Sequence, residues 1–142
     1  MKNFTILCAA VLMFLGACKK ENRADCNPTE KFSLADALVV SKGTLVFTSL
    51  TKTNGVAKIY LQKNGRYLLA LEQVNVHSPS DLSVYLAKTT SCSGAAIELF
   101  SFKDISGEKY YELPSSINVS SFGYVIIQGD KTQQPEGIAA LQ

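Results

Sequence analysis

The sequence has no tryptophan, a single histidine and no cluster of acidic residues. A protein zinc site draws on several His, Cys or carboxylate ligands, and a Ser-His-Asp triad holds its histidine between two partners. This composition therefore argues against an enzyme with its own metal site or triad. A strong charge of one sign is also lacking, because the formal net charge is only +2. The chain thus lacks the basic surface of a general nucleic-acid-binding protein.

Long apolar runs are absent beyond the N-terminal segment. Residues 4–15 are apolar apart from Thr5, and they follow a short basic start. A helix of this length spans about 18 Å, whereas the hydrocarbon core of a bilayer is roughly 30 Å thick. The segment is therefore too short to cross a membrane as a helix. Its basic start, apolar centre and small final residues predict a signal peptide over residues 1–17.

The end of this segment, Leu15-Gly16-Ala17-Cys18, resembles a bacterial lipobox, in which the cysteine is lipid-modified and becomes the first mature residue. Ordinary cleavage nearby, with Cys18 unmodified, is the alternative. We expect lipid on Cys18 to anchor the protein, since no other segment is long and apolar enough to hold it to a membrane. The expected location is extracytoplasmic, at the periplasmic or the surface face of a bacterial outer membrane.

The rest of the chain divides into a short polar segment and one domain. Residues 18–32 are mostly polar or charged and show no apolar periodicity, which predicts a flexible tether. Residues 33–142 are then long enough for a single domain with one hydrophobic core. The helix candidate in this domain is residues 33–40, where Ser33 and Asp36 have capping spacing. Two β-branched valines at its end oppose a helix, so a helical turn stays open there.

The domain has the pattern of β-strands separated by turns. Residues 56–62 alternate, with Ala57 and Ile59 on the apolar face, as a half-buried strand does. Asn64-Gly65 after them predicts a two-residue hairpin turn of type I′. Eight segments are strand candidates: 43–50, 56–62, 66–74, 81–87, 95–100, 109–112, 124–128 and 137–141. Eight short strands predict an all-β domain, either an antiparallel β-sandwich or a small barrel.

One of these strands carries a recognisable motif. The residues Pro79-Ser80-Asp81-Leu82-Ser83-Val84-Tyr85-Leu86 resemble the Pro-Asp-Leu-x-Val-Tyr-Leu core of the DM-thirteen domain family. Segments at 55–60, 67–71, 113–114 and 124–127 are also similar to that family, so the resemblance covers about residues 43–141. It implies an extracytoplasmic β-rich module for which a role in electron transfer has been proposed.

The sequence departs from the family at two places. Ser80 intervenes between Pro79 and Asp81, and Gly129 stands where the family has a near-invariant cysteine on which the redox proposal depends. A glycine just past a strand more often serves a turn or a bulge than chemistry. We therefore expect no thiol-dependent redox activity at Gly129.

Four cysteines occur, and two of them have other expected fates: Cys8 leaves with the signal peptide and Cys18 carries the lipid. Cys26 and Cys92 remain, in a compartment that permits disulfides. A disulfide between them closes a loop of about 65 residues and stabilises by roughly 4 kcal/mol on the chain-entropy model. Two unrelated thiols are the alternative. Zinc ligation by both with His77 is disfavoured, since the spacing matches no zinc pattern.

Three further groups have a functional and a structural interpretation. His77 precedes Ser78 and Asp81, but neighbours in one loop seldom converge as a triad, so a turn is favoured. Tyr60 and Tyr85 lie on the polar faces of their strands, where they could form an exposed aromatic platform or simply pack across strands.

The third group consists of loop carboxylates. Asp104, Asp130 and Glu136 lie in separate loops and could meet around a hard cation, although solvated loop acids are the favoured interpretation.

These observations lead to an expected function. We expect a lipid-anchored, extracytoplasmic binding or accessory module of the bacterial cell envelope, not an enzyme, associated with electron transfer if the family resemblance holds. It would have no cofactor of its own, would not bind nucleic acid, and would meet an envelope protein or a small ligand. A redox or hydrolytic enzyme with an unrecognised site is the alternative.

Overall fold

The computed structural model describes Phe32, residues 34–48 and residues 54–142. Six β-strands occur in these ranges: β1 (Leu38–Phe47), β2 (Gly55–Leu61), β3 (Tyr67–Ala87), β4 (Ala96–Glu112), β5 (Tyr124–Gly129) and β6 (Pro135–Ala140). One 3-10 helix, Val119–Ser121, precedes β5. The signal peptide predicted at residues 1–17 and nearly all of the tether predicted at 18–32 lie outside the described residues, so both stay predictions.

The helix considered at residues 33–40 is wrong. The chain makes a turn at Ala35 and Asp36, and β1 already begins at Leu38. The two β-branched valines that follow Leu38 favour the extended backbone over the helix. No α-helix occurs in the ranges that the structure describes.

Five of the strands close into a ring. β1 pairs with β2, β2 with β3, β3 with β5, β5 with β6, and β6 with β1, and every pairing is antiparallel. A ring with an odd number of strands can be antiparallel at every contact only if one strand reverses its direction. β3 does so, since residues 67–72 pair with β2 and residues 82–87 pair with β5. Of the two predicted architectures, the barrel is the one observed.

β4 lies outside the ring and follows β3 through its bend. Residues 109–112 pair with the first arm of β3, and residues 96–102 pair with the second arm. Phe100 and Tyr111, which lie in different arms of β4, stack with their ring centroids 4.9 Å apart. A straight strand would separate residues this far apart in sequence by about 35 Å. The stacking therefore requires β4 to bend as sharply as β3.

The expectation of eight strands is corrected to six. The segments predicted at 66–74 and 81–87 are the two arms of β3, and those at 95–100 and 109–112 are the two arms of β4. Residues 74–77 and 104–107 stay paired across the bend, so each strand continues through it. Ser78-Pro79-Ser80 and Gly107, which are turn signals in the sequence, lie within bent strands instead of in loops between strands.

The antiparallel registers give the barrel two ends. The entry end contains the start of β1, the β2–β3 loop at 62–66, the β3–β4 loop at 88–95 and the end of β6. The distal end contains the end of β1, the start of β2, the bend of β3 and the β5–β6 loop at 130–134. These two ends serve below to describe where surface residues lie on the barrel.

The core fills the ring with alternate side chains from each strand. The alternation predicted for β2, for both arms of β3 and for β5 is confirmed, with fully buried side chains at Ala57, Ile59, Leu69, Leu71, Leu82, Val84, Leu86, Val125 and Ile127. Each buried Leu, Ile or Val side chain contributes about 1.5–3 kcal/mol relative to exposure. On the outer face, Phe32, Leu34 and Ala37 cover a smaller apolar cluster on β2 and β3.

The β2–β3 hairpin forms where Asn64-Gly65 predicts it, but its turn type differs. The Gln62 N–H donates to the Arg66 carbonyl at 2.8 Å, and the Gly65 N–H donates to the Gln62 carbonyl at 2.9 Å. Only Gly65 has positive φ (81°), whereas a type I′ turn needs it at both central positions. The loop therefore has three residues and a left-handed glycine at its end. The Asn64 side chain accepts a hydrogen bond from the Arg66 N–H at 3.0 Å, which stabilises this loop.

Candidate functional site

Carboxylate and hydroxyl side chains gather on the outer face where β3, β4 and β5 run side by side. Because Leu82, Val84 and Leu86 point into the core, Ser83 and Tyr85 between them point outward. The β3–β4 register places Ser101 opposite Ser83 and Glu98 opposite Tyr85. Asp130, the first residue after β5, completes the group. We call Ser83, Tyr85, Glu98, Ser101 and Asp130 the outer-face cluster.

The Ser83 hydroxyl is the centre of the outer-face cluster. Its oxygen lies 2.9 Å from Asp130 Oδ1, 3.0 Å from Glu98 Oε1 and 2.8 Å from Ser101 Oγ. Ser83 is only 2% exposed, although Glu98 and Asp130 reach solvent. One hydroxyl carries one proton and donates to one acceptor at a time. Two carboxylates, one from β4 and one from the β5–β6 loop, therefore compete for the same buried donor.

The remaining hydroxyls of the cluster bond to Glu98. Ser101 donates to Glu98 Oε1 at 3.2 Å, and Tyr85 donates to Glu98 Oε2 at 3.3 Å. Burial raises the pKa of the Tyr85 hydroxyl, and the Glu98 carboxylate raises it further. Tyr85 is therefore a proton donor at neutral pH and not a base. The carboxylates of the cluster are therefore exposed hydrogen-bond acceptors, whereas its hydroxyl groups donate to other members of the cluster.

A second polar group joins β2 to the first arm of β3. Lys58 Nζ lies 2.5 Å from Glu72 Oε2, and the Tyr60 hydroxyl donates to Glu72 Oε1 at 2.8 Å. The hydrogen bond to Glu72 raises the pKa of Lys58. Burial, followed by the hydrogen bond to Glu72, raises the pKa of Tyr60. These contacts tie neighbouring strands together and leave each charge with a partner.

The exposed aromatic platform considered for Tyr60 and Tyr85 is wrong. Tyr60 is only 8% exposed, because Phe32 and Leu34 belong to the apolar cluster packed around it. Tyr60 lies beside the first arm of β3, whereas Tyr85 lies in the second arm. Cross-strand packing, the alternative interpretation, is what the structure shows. Nearby, Tyr110 donates to Glu108 at 2.7 Å, and this hydrogen bond together with burial raises its pKa to about 12.

His77 contacts one carboxylate and does not take part in a triad. Its Nδ1 contacts Asp104 Oδ1 across the β3–β4 pair, on a surface where both side chains are mostly exposed. Ser78 is buried and its hydroxyl accepts a long hydrogen bond (3.4 Å) from the Ser80 N–H. No triad forms here, and the turn expected at Ser78-Pro79-Ser80 is instead a bend within β3.

The cation site considered for Asp104, Asp130 and Glu136 does not form, and only Asp130 lies in a loop as expected, since Asp104 lies in β4 and Glu136 in β6. Asp104 pairs with His77, and Asp130 bonds to Ser83. Among the described residues, no three His, Cys, Asp or Glu side chains come together as a metal-binding group. Glu136 lies beside Gly129 at the distal end and does not join the other two.

The expected cysteine chemistry lies partly outside the described residues. Cys18 and Cys26 both fall in residues 1–31, so lipid attachment and the Cys26–Cys92 disulfide stay predictions. Cys92 is a half-buried free thiol with no disulfide to any described residue. Burial raises its pKa, which makes it a poor nucleophile at neutral pH. The loop that holds it lies at the entry end of the barrel.

The residues of the family motif lie on both faces of the second arm of β3 and at its bend. Leu82, Val84 and Leu86 form core, whereas Tyr85 belongs to the outer-face cluster. Pro79 and Asp81 are exposed at the bend of β3. The Asp81 carbonyl accepts a hydrogen bond from the Asp130 N–H at 3.1 Å, which ties the bend to the β5–β6 loop.

Gly129 ends β5 and starts the β5–β6 loop. Its N–H donates to the Gln134 carbonyl at 3.3 Å, and its carbonyl accepts from the Gln133 N–H at 2.9 Å. A Cβ at this position would lie 2.5 Å from Glu136 Oε1 and 2.6 Å from Thr132 Oγ1. The turn role expected from the sequence is confirmed, and a side chain here would displace both neighbours.

The sequence pattern did not reveal Glu98, Ser101 or Glu72 as members of polar groups. Alternation within β3 indicates that Ser83 and Tyr85 point outward, but their partners depend on the β3–β4 register. Three register shifts in that pairing, one of them between Val84 and Tyr85, determine which residue of β4 lies opposite each residue of β3.

The described ranges contain no helix capable of spanning a bilayer. Comparison with known proteins finds no matching family model, no similar curated protein and no similar solved structure. The resemblance to the DM-thirteen family therefore rests on the motif residues and stays a hypothesis.

Proposed function

We propose that this protein is a lipid-anchored, extracytoplasmic module of the bacterial cell envelope, in which Cys18 holds the chain to the membrane and the barrel serves a binding or accessory role. The family resemblance extends the proposal to an association with electron transfer, with the redox centre supplied by a partner because Gly129 has no thiol.

The observation that carries the proposal is that the barrel closes without the N-terminal segment. Residues 38–140 supply every strand of the ring, and the core cluster uses residues from Leu45 onward. The lipobox-like Leu15-Gly16-Ala17-Cys18 is thus separated from a complete domain by a polar stretch. An anchor, a tether and a self-contained domain are the parts that such a module needs.

The length of the tether keeps the domain close to its anchor. The chain between Cys18 and Phe32 reaches at most about 50 Å and has an average span of roughly 20 Å if it is flexible. A domain held this way works within a thin layer at the membrane surface. This favours a partner or ligand that is itself held at the envelope.

The test is acylation of Cys18 in cells. We expect metabolic labelling with radioactive palmitate to mark the full-length protein and the Cys18→Ser variant to lose the label, because serine has no thiol to acylate. The Cys8→Ala variant is the matched control: it changes the other N-terminal cysteine and should keep the label. Fractionation should find the labelled protein in salt-washed membranes. Label retained by Cys18→Ser, or absent from both proteins, would show that Cys18 is not the anchor.

A further inference from the structure

The exposed apolar side chains of the barrel are concentrated at its entry end. Leu38, Val39 and Val40 are 65%, 41% and 39% exposed, and Ile97 near the start of β4 is 36% exposed. Val46, the other large apolar side chain in the described ranges with comparable exposure (53%), lies at the distal end.

The start of β1 departs from the pattern of a barrel strand. Three consecutive residues are apolar and exposed, whereas a strand of a closed barrel alternates between a buried and a polar side chain. Further along the strand that alternation is restored, with Leu45 and Phe47 buried. Core packing therefore does not account for the apolar character of the first three positions.

A depression of mixed polarity lies beside these three residues. The register shift between Val39 and Ser41 takes Val40 out of the regular pairing with β2. Val40 then lines a depression of about 400 Å³ together with Tyr67, Phe122, Leu141 and three serines. We call Leu38, Val39 and Val40 the apolar patch. Adjacent exposed apolar residues mark an interaction site more often than scattered ones do.

The charges around the patch are partly paired. Lys63 lies 3.9 Å from Asp36, and Arg66 contacts Glu112, both in or near the entry-end loops. Lys42 on β1 and Lys88 in the β3–β4 loop are exposed and have no acidic partner among the described residues, so this end carries a small excess of positive charge and would not repel an anionic surface.

The tether reaches the barrel at this same end. Phe32 and Leu34, the first described residues, pack beside Leu68, which is the second residue of β3 at the entry end. A chain that begins at lipid-modified Cys18 would therefore deliver the entry end, and not the distal end, toward the bilayer. A short tether also raises the effective concentration of bilayer around a weakly apolar patch.

We propose that the entry end rests on the lipid bilayer, with Leu38, Val39 and Val40 inserted among the headgroups and the distal end facing away. This rests on the proposed function, since it requires Cys18 to be acylated. It adds an orientation, in which the outer-face cluster lies on the side of the barrel and its Asp130, in the β5–β6 loop, faces away from the membrane.

The experiment uses tryptophan as a reporter, because the chain has none of its own. The acylated full-length protein is prepared as Val39→Trp and as Val46→Trp, the matched control at the other end. Each is reconstituted on phosphatidylcholine vesicles with and without brominated acyl chains. We expect bromine to lower the Val39→Trp emission by about twofold or more, with a blue-shifted maximum, and to leave Val46→Trp unchanged.

Each outcome distinguishes the proposals. Both variants should keep the melting temperature of the unaltered protein, since both sites are exposed. If both proteins float with vesicles and Val39→Trp is not quenched, the orientation is wrong and the anchor stands. If neither protein floats with vesicles, the anchor fails and the orientation fails with it. If Val39→Trp is already blue-shifted without vesicles and the protein sediments as a dimer, a second copy covers the patch and the bilayer does not.

Discussion

The Ser83 hydroxyl connects β3 with β4 and with the loop that follows β5. Its partners are Ser101 and Glu98 on β4 and Asp130 after β5, and each lies within 3.0 Å. A hydrogen bond to a charged group contributes about 1.5–3 kcal/mol, and a neutral one about 1 kcal/mol. The loss of this hydroxyl therefore leaves two carboxylates without the donor they share, although their exposure lets water replace part of it.

Replacement of Ser83 by alanine should destabilise the barrel by about 1–2 kcal/mol, because the buried donor is lost while the side chain still fits. Urea unfolding followed by far-ultraviolet circular dichroism measures the change in the free energy of unfolding. Ser91→Ala is the matched control, since the Ser91 hydroxyl bonds only within an exposed loop. Equal midpoints for the two variants would mean that water holds the cluster as well as Ser83 does.

At the scale of the element, the contact between β1 and β6 closes the ring and depends on one glycine. A Cβ on Gly43 would lie 2.1 Å from the carbonyl oxygen of Ala140. The Lys42 N–H donates to the Gln142 carbonyl at 3.0 Å, and the reverse bond measures 2.9 Å. The atoms that a new methyl group would meet belong to the backbone of Ala140, and they cannot rotate away as a flexible side chain can. The two strands therefore approach this closely only because residue 43 has no side chain.

The Gly43→Ala variant should lose about 3 kcal/mol or more of stability, because the strands must separate to admit the methyl group. Gly123→Ala is the control, since a Cβ there meets nothing within 4 Å and the backbone has no positive φ. The midpoint of urea unfolding measures both. A Gly43→Ala protein as stable as the control would contradict the close approach of β1 and β6.

The strands themselves show which part of the fold can be predicted from sequence. The faces of Leu82, Val84 and Leu86 follow from local alternation, since a period of two depends on neighbouring residues alone. The bend of β3 does not, because Ser78-Pro79-Ser80 has the same turn signal whether the chain leaves the sheet or bends within it. The pairing of Glu98 with Tyr85 depends on the β3–β4 register, which local patterns do not determine.

At the scale of the whole molecule, a covalent link between the tether and the barrel follows from the cysteines. We expect Cys26 and Cys92 to be joined in the exported protein, which stabilises it by roughly 4 kcal/mol through a loop of about 65 residues. The β3–β4 loop that holds Cys92 lies at the entry end, where the tether arrives. Mass spectrometry of peptides from unreduced protein should find the linked pair. Two alkylatable thiols in native protein would contradict it, and Cys92→Ser would then leave stability nearly unchanged.

The closure of β1 against β6 has a consequence for the order in which the chain folds. Val46 of β1 pairs with Ile138 of β6. The ring therefore closes only when the first and the last strand are both present, which requires almost the whole domain. Contacts between residues so distant in sequence slow folding, because the loop between them must be ordered first. Until β6 arrives, β1 and β5 are open edges of an incomplete sheet. A chain of this topology can therefore pair its early strands but cannot close its barrel until nearly all of it has been synthesised.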